Sequence, residues 1–193
     1  MKLLNTLLLG SLLFTANNIQ AQTNYGMSGY TVTIDGTSNL HNWNETVGKV
    51  SGKGMVDFTA GKTFTIKSFN IIMQVSSISS DAGSTMNNKT YKALKQDKFP
   101  EIIFSLSQPV IAIPSGATAY TVMAKGMLTI AGVTKPVTIP IKITEDAAKK
   151  ISIDGAQQVK MTDYGIDPPT ALFGVLKTGD GITINFKTTF LLN

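Results

Sequence analysis

The sequence contains no cysteine and no arginine, and a single histidine and a single tryptophan. Without cysteine there are no disulfides, no thiolate metal sites and no cysteine nucleophile. Without arginine, all 17 basic residues are lysines, and the bidentate contacts by which nucleic-acid readers hold phosphates and guanine are missing. The net charge of +5 is scattered over lysines such as Lys49, Lys53, Lys67, Lys125, Lys142, Lys160 and Lys187, the pattern of a solvated surface. Nucleic acid is therefore not an expected partner. One histidine and scattered carboxylates do not make the three or four ligands of a zinc site. No G-x-S-x-G elbow is present for a serine triad. Beyond residue 21 no segment reaches the roughly 20 apolar residues of a membrane helix, so no transmembrane segment is expected in the mature chain.

Residues 1–21, MKLLNTLLLGSLLFTANNIQA, combine a positive start at Lys2, an apolar stretch over Leu3 to Ala16, and a polar end closing on a small residue. This is the tripartite pattern of a secretory signal peptide, too short to span a bilayer. We expect cleavage after Ala21, leaving one domain over residues 22–193 of a size that supports a substantial core. An exported domain without disulfides fits a bacterial periplasmic or secreted protein.

What is abundant is period-two alternation. Tyr30, Val32 and Ile34 alternate with Thr31, Thr33 and Asp35. Val122, Ala124, Gly126, Leu128 and Ile130 form one apolar set, and Val137, Ile139, Ile141 and Ile143 another. Ile182, Ile184, Phe186 and Phe190 close the chain. Such spacing puts one set on a buried face and the other in water. Residues 131–136 should close a hairpin, and Gly179-Asp180-Gly181 should introduce the last strand. Ile66 to Val75 breaks the alternation, which requires either burial on both faces or a bulge. One segment, Ser84 to Lys95, reads as a helix with Met86, Tyr91 and Leu94 near one face and Ser84 or Thr85 as its N-cap. A second short helix or loop is expected over 168–176. About eight strands with one or two short helices, and no repeat or linker, give an all-β class: an antiparallel barrel or sandwich.

The order of motifs then becomes informative. SNLHNW, QVSSI, a lysine-rich helix, FPEIIFSL, KGMLTIAGVTKPVTIPIKI, MTDYGIDPP and GDGITINF follow one another. The series resembles the YceI-like family of lipocalin-like, polyisoprenoid-binding periplasmic or secreted proteins, over roughly residues 28 to 192. Its most specific parts are F-P-x-I-x-F (Phe99, Pro100, Ile102, Phe104) and L-T-x-x-G-x-T-x-P-V (Leu128 to Val137). The resemblance implies an extended antiparallel lipocalin-like β-barrel. It also implies an apolar interior that binds a long-chain amphiphile: a polyisoprenoid, an isoprenoid quinone or a fatty-acid derivative. No enzymatic reaction and no cofactor beyond such a lipid are implied.

Within that frame, His41 and Trp43, two apart, are either packed at the wall with their N–H groups on backbone carbonyls or form a polar handle of the cavity. Met161 stands among methionines that suit either core filling or a mouldable cavity. Tyr164 and Phe173 are expected at the mouth, the former within D-Y-G-I (Asp163 to Ile166). Leu128 and Ile141, on two arms of the strongest hairpin, are expected on the cavity wall. Phe64, Tyr91, Phe104 and Phe186 complete the expected ligand-binding set. Two rivals remain open: a structural or stress-related barrel filled by its own side chains, and a hydrolase pairing His41 with Asp163 or Asp167. The chain is expected to be a monomer or a homodimer.

Overall fold

The computed structural model describes residues 22–59, 63–116 and 119–193. The alternating segments form β1 (Gln22–Ser38), β2 (Trp43–Val47), β3 (Val50–Thr59), β4 (Thr63–Gln74), β5 (Ile78–Ser79), β6 (Glu101–Leu106), β7 (Val110–Pro114), β8 (Tyr120–Ile130), β9 (Val133–Glu145), β10 (Ile151–Lys160), β11 (Thr170–Ala171) and β12 (Leu176–Leu192), with one α-helix, α1 (Ser84–Ala93). Hydrogen bonding runs β3–β1–β12–β10–β9–β8–β6–β4 and returns from β4 to β3, so eight antiparallel strands close into a barrel. Closure leaves no bare edge to the main sheet. The shorter strands extend the eight: β2 continues the register of β3 along β1, β5 pairs with β2, and β7 follows β6 along β4.

Local chemistry explains where the pattern bends. Met55 pairs with Ser68 but Val56 pairs with Ile66, which leaves Lys67 as the extra residue of a bulge. The inward set therefore changes phase, from Phe64 and Ile66 to Phe69, Ile71 and Met73, and the broken alternation of Ile66–Val75 is accounted for. The β8–β9 hairpin turns on two residues, Ala131 (φ 48°) and Gly132 (φ 82°). Both are left-handed, as the tightest hairpin turns require. The Thr129 and Thr134 hydroxyls bond across it at 2.8 Å.

Two sequence expectations are corrected. The last strand starts at Leu176, not after Gly181. Its glycine-bracketed segment is a bulge inside β12: Gly36 pairs with Ile182 and Ser38 with Thr178, leaving extra residues on the β12 side. Helix α1 is capped by Gly83 at φ 85°, with Ser84 and Thr85 inside the first turn. The Asn87 side chain instead accepts from the Ser80 backbone N–H and ties the helix to the segment before it.

The two ends of the barrel differ. At one end the interior is solid. Tyr25 and Phe64 are fully buried there, with ring centroids 6.5 Å apart for Tyr25–Phe58 and 5.6 Å apart for Phe58–Phe64; the Phe69–Phe190 pair, 4.5 Å apart, borders the hollow part. A polar cluster closes this end. The Tyr25 hydroxyl donates to the Lys149 carbonyl at 2.9 Å. The Lys149 ammonium lies 2.9 Å from Glu145 and 5.1 Å from the Phe58 ring centroid. Burial raises the Tyr25 phenol to about 12, with Glu145 adding to the rise. For Glu145, burial pushes the carboxyl up, but hydrogen bonds from Ser115, Lys149 and Gly116 together hold it below its ordinary value. At the other end lie α1, the β1–β2 loop, the β8–β9 turn and a 3-10 turn over Met161–Tyr164.

Candidate functional site: a hollow interior opening under the helix

The middle of the barrel is hollow. An inner cavity of about 90 Å³ is bounded by residues of eight strands, among them Phe69, Met73, Phe104, Leu128, Ile141 and Phe186. One water needs roughly 10–15 Å³ in this measure, so the space far exceeds a packing defect. Only Gln157 and Thr188 interrupt its apolar lining. Both turn their donors away, to the Gln158 carbonyl at 2.6 Å and the Ile153 carbonyl at 3.2 Å. The cavity therefore offers apolar contact without hydrogen bonds.

Aromatic residues on the wall lie flat against glycines. A Cβ at Gly54 would collide with the Phe69 ring, one at Gly126 with Phe104, one at Gly155 with Phe186, and one at Gly36 with Trp43. Three of these are direct cross-strand pairs: Gly54↔Phe69, Gly155↔Phe186 and Gly36↔Trp43. The absent side chain lets each ring settle on backbone instead of projecting toward the barrel axis. Paired glycine and aromatic residues thus line the wall while leaving the centre open.

An outer cavity of about 130 Å³ lies between this region and α1. Ile184 lines both cavities. The outer lining keeps an apolar floor (Ile102, Ile130, Met161, Ile182) and adds polar groups: His41, Glu45, Ser80, Lys89, Thr90 and Tyr164. Helix α1 covers it with Met86, Thr90 and Ala93, joined by the C-cap residue Leu94, a spacing that puts all four on one helical face. The D-Y-G-I segment supplies the facing wall. Gly165 is left-handed at φ 63°, the Ile166 N–H returns to the Met161 carbonyl at 3.1 Å, and the Lys95 ammonium bonds the Gly165 carbonyl at 2.9 Å, joining helix to loop.

Glu45 is the unusual group here. Its side chain points inward from β2 at 4% exposure, and among the described residues its carboxylate accepts one hydrogen bond, from the Thr90 hydroxyl at 2.5 Å. No cation pairs with it among the described residues. Burial pushes its carboxyl above the ordinary range, and the Thr90 bond offsets part of that rise. Tyr164 is 3% exposed, and its hydroxyl makes no hydrogen bond among the described residues. Burial, then the neighbouring Asp163 charge, raises its phenol, so it stays a neutral donor.

Of the residues expected from sequence, Phe104, Leu128, Ile141 and Phe186 line the inner cavity, and His41, Trp43, Met161 and Tyr164 the outer one. The Trp43 indole donates to the Thr37 carbonyl at 2.9 Å. His41 is exposed in the β1–β2 loop rather than on a strand, and its Nδ1 lies 2.7 Å from the Asn42 carbonyl. Asp163, a partner weighed for it, faces Lys135 at 3.8 Å. Three residues fall off both cavity walls. Phe64 faces inward but lies nearer the start of β4 than Ile66, opposite Phe58 and Ile113 at the packed end. Tyr91 sits on the flank of α1, its hydroxyl 2.8 Å from the Ile78 carbonyl and 3.1 Å from that of Ser76, either of which can accept its one proton. Phe173 is wholly exposed at φ 55°. Sequence reasoning missed Phe69, Ile153, Ile184 and Glu45. Phe69 was hidden by the bulge, and Glu45 by the rule that charged residues of an alternating strand face water. Among the described residues no three His, Asp or Glu side chains come together to hold a metal, and no helix is long and apolar enough to cross a membrane.

The fold has solved counterparts. A polyisoprenoid-binding domain from Saccharophagus degradans, implicated in plant cell wall breakdown, superposes with a TM-score of 0.66 at 10% identity, covering 88% of this chain and 98% of that one. BcnA of Burkholderia cenocepacia gives 0.58 at 22% identity, covering 83% and 95%. A YceI protein of Campylobacter jejuni gives 0.57 at 18% identity, covering 77% and 84%. At these identities the likeness is one of fold. No curated protein sequence matches the chain. The sequence pattern of the YceI-like domain matches residues 16–190; with the closed eight-stranded barrel, this makes the chain a member of the YceI-like family.

Proposed function

We propose that the protein binds a long-chain apolar or amphiphilic molecule, an isoprenoid or fatty-acyl chain, inside the barrel. The carrying observation is the sequence of environments along the barrel: a solid end, an apolar inner cavity, and an outer cavity with polar groups under α1. This order matches an amphiphile lying tail-inward. At about 25 cal/mol per Å² of apolar surface removed from water, a long chain binds with many kcal/mol and no directed contacts. The polyisoprenoid-binding domain that shares the fold supports the same reading. His41, Trp43, Phe104, Leu128, Ile141, Met161, Tyr164 and Phe186 are the contacts we assign from sequence and cavity together. The protein acts on this reading as a binder or carrier, not an enzyme, without metal or organic cofactor. It works after export to a bacterial periplasm or medium, the leader over residues 1–21 lying outside the described residues. The rival of a filled barrel finds support only at the solid end.

Trp43 is the sole tryptophan and lines the outer cavity, so its emission reports entry. Titration with a prenyl or long-chain alcohol should shift the emission to shorter wavelength, saturably, at micromolar concentration or below. An unchanged spectrum, with no binding by calorimetry, would remove the reading.

A further inference from the structure

Resting on the ligand reading above, we propose that the apolar loop tips beside the outer cavity are a docking surface for an anionic lipid bilayer. Docking there brings the opening against the membrane in which a long-chain ligand resides. Leu40 in the β1–β2 loop, and Phe173 and Val175 before β12, are each more than two-thirds exposed. They belong to one patch, because their loops are tied together. The Asn39 N–H donates to the Lys177 carbonyl at 3.1 Å. The Asn39 side chain donates to the Val175 carbonyl at 2.8 Å and accepts from the Lys177 N–H at 2.9 Å. The patch adjoins the opening: His41, next to Leu40, and Leu176, next to Val175, both line the outer cavity. Phe173 is left-handed at φ 55°, a backbone state that bulky residues rarely adopt, and its ring gains no burial from the fold. Single exposed apolar residues are ordinary on a protein surface, but three on tied loops beside a cavity mark an interaction site. Projecting tips with an aromatic ring suit the head-group region of a bilayer.

The charges select an anionic bilayer as the occupant. Residues 84–98, α1 and the turn after it, carry Lys89, Lys92, Lys95 and Lys98 against one acid, Asp97. Lys89 lines the same outer cavity as His41 and Leu176, and the exposed Lys177 follows the patch directly. Of the acids at this end, Asp163 faces Lys135 and Asp180 accepts from Thr162. Asp81 and Asp167 stay exposed and moderate the field. Lysines near a bilayer surface are attracted to anionic lipids over about a Debye length, an attraction that salt weakens. A second copy of the chain docked on the same face would instead bring like charges together.

The test is flotation of the full mature chain with vesicles of phosphatidylcholine alone or with about one-third phosphatidylglycerol, at low salt, beside titration with farnesol in solution. We expect at least tenfold tighter partitioning onto the anionic vesicles, reversed by half-molar salt. The triple variant Leu40→Ser, Phe173→Ser, Val175→Ser should lose at least tenfold on those vesicles and keep its farnesol affinity within about twofold. Ile111→Ser, at an exposed apolar residue of β7, should change neither. Phe173→Ser alone, at a fully exposed ring, should lose several-fold and carries the test should the triple variant misfold. Absence of vesicle binding, equal binding to both compositions, or undiminished binding of the serine variants overturns the docking surface. Dimerisation that the triple variant abolishes, without vesicle binding by the parent, also overturns it, in favour of a second copy. If farnesol binds in any of these cases, the ligand reading stands. Patch-dependent vesicle binding with no uptake of farnesol or a longer prenyl alcohol would leave the docking surface and remove the ligand reading.

Discussion

Leu128→Trp separates a hollow barrel from a filled one. Leu128 is 3% exposed and its inward side faces the inner cavity. At about 90 Å³, and about 10–15 Å³ per water-sized occupant, that space holds roughly six to nine such spheres. An indole there extends into open volume instead of displacing Phe104, Ile141 or Phe186. The substitution should change stability by less than about 1 kcal/mol, and filling apolar space should offset most of any rotamer cost. In a packed core the same change would cost about 1–3 kcal/mol. For a domain of this length each kcal/mol moves the melting temperature by roughly 2–4 °C. The hollow barrel therefore predicts a shift of only a few degrees, and the filled barrel a fall of up to about 12 °C. Ligand binding should fall at least tenfold in the hollow case, about 1.4 kcal/mol, because the indole occupies the path of the tail. Differential scanning fluorimetry and calorimetric titration of one sample supply both numbers. A large drop in melting temperature with affinity unchanged would refute the reasoning.

The solid end should respond in the opposite way. Phe64→Ala, at a fully buried ring packed at a tilt against Phe58, should cost about 3–5 kcal/mol by chemical denaturation, with ligand affinity of the folded fraction little changed. Gly126→Ala places a methyl against the Phe104 ring and 2.7 Å from the Ser105 carbonyl; a loss of about 1–3 kcal/mol, together with weaker tail binding, is expected. The Glu45 carboxyl is held above its ordinary value of 4.5, so the folded state binds its proton more tightly than the unfolded chain. The stability it contributes is full below 4.5 and is lost as pH rises through the elevated value. Glu45→Gln should therefore gain on the parent in melting temperature as pH increases over that window, and a flat difference would count against the burial of this carboxylate.

Much of the barrel was readable because closure and alternation are the same constraint. Where each strand must show one face to the lumen, Val122–Ile130 and Val137–Ile143 declare their inward residues directly, and Ala131-Gly132 marks the tight turn between them. The reading faltered where backbone geometry interrupts the period. The Lys67 bulge turns Phe69 inward in a different phase from Phe64 and Ile66, and no single residue announces it. The bulge in β12 made a strand interior resemble a strand start, because glycines serve both. The site was half legible for a different reason. Apolar wall residues follow from alternation, but the polar end depends on which element covers the mouth, and the packing of α1 over Glu45 is a long-range contact. Glycine facing an aromatic ring across neighbouring strands was present in the sequence throughout. It becomes informative only once register is known, and it then explains why a barrel rich in phenylalanine is not full.

The central claim is that the interior of this barrel holds a long apolar chain, and the most direct test is organic extraction of protein purified from its native host, followed by mass spectrometry of the extract beside native mass spectrometry of the intact protein. The account predicts a prenyl or acyl species at near-stoichiometric amount, absent from the Leu128→Trp variant prepared in parallel. An intact mass equal to the bare mature chain, an extract without such a species, and no uptake of prenyl or acyl ligands by that protein would contradict it.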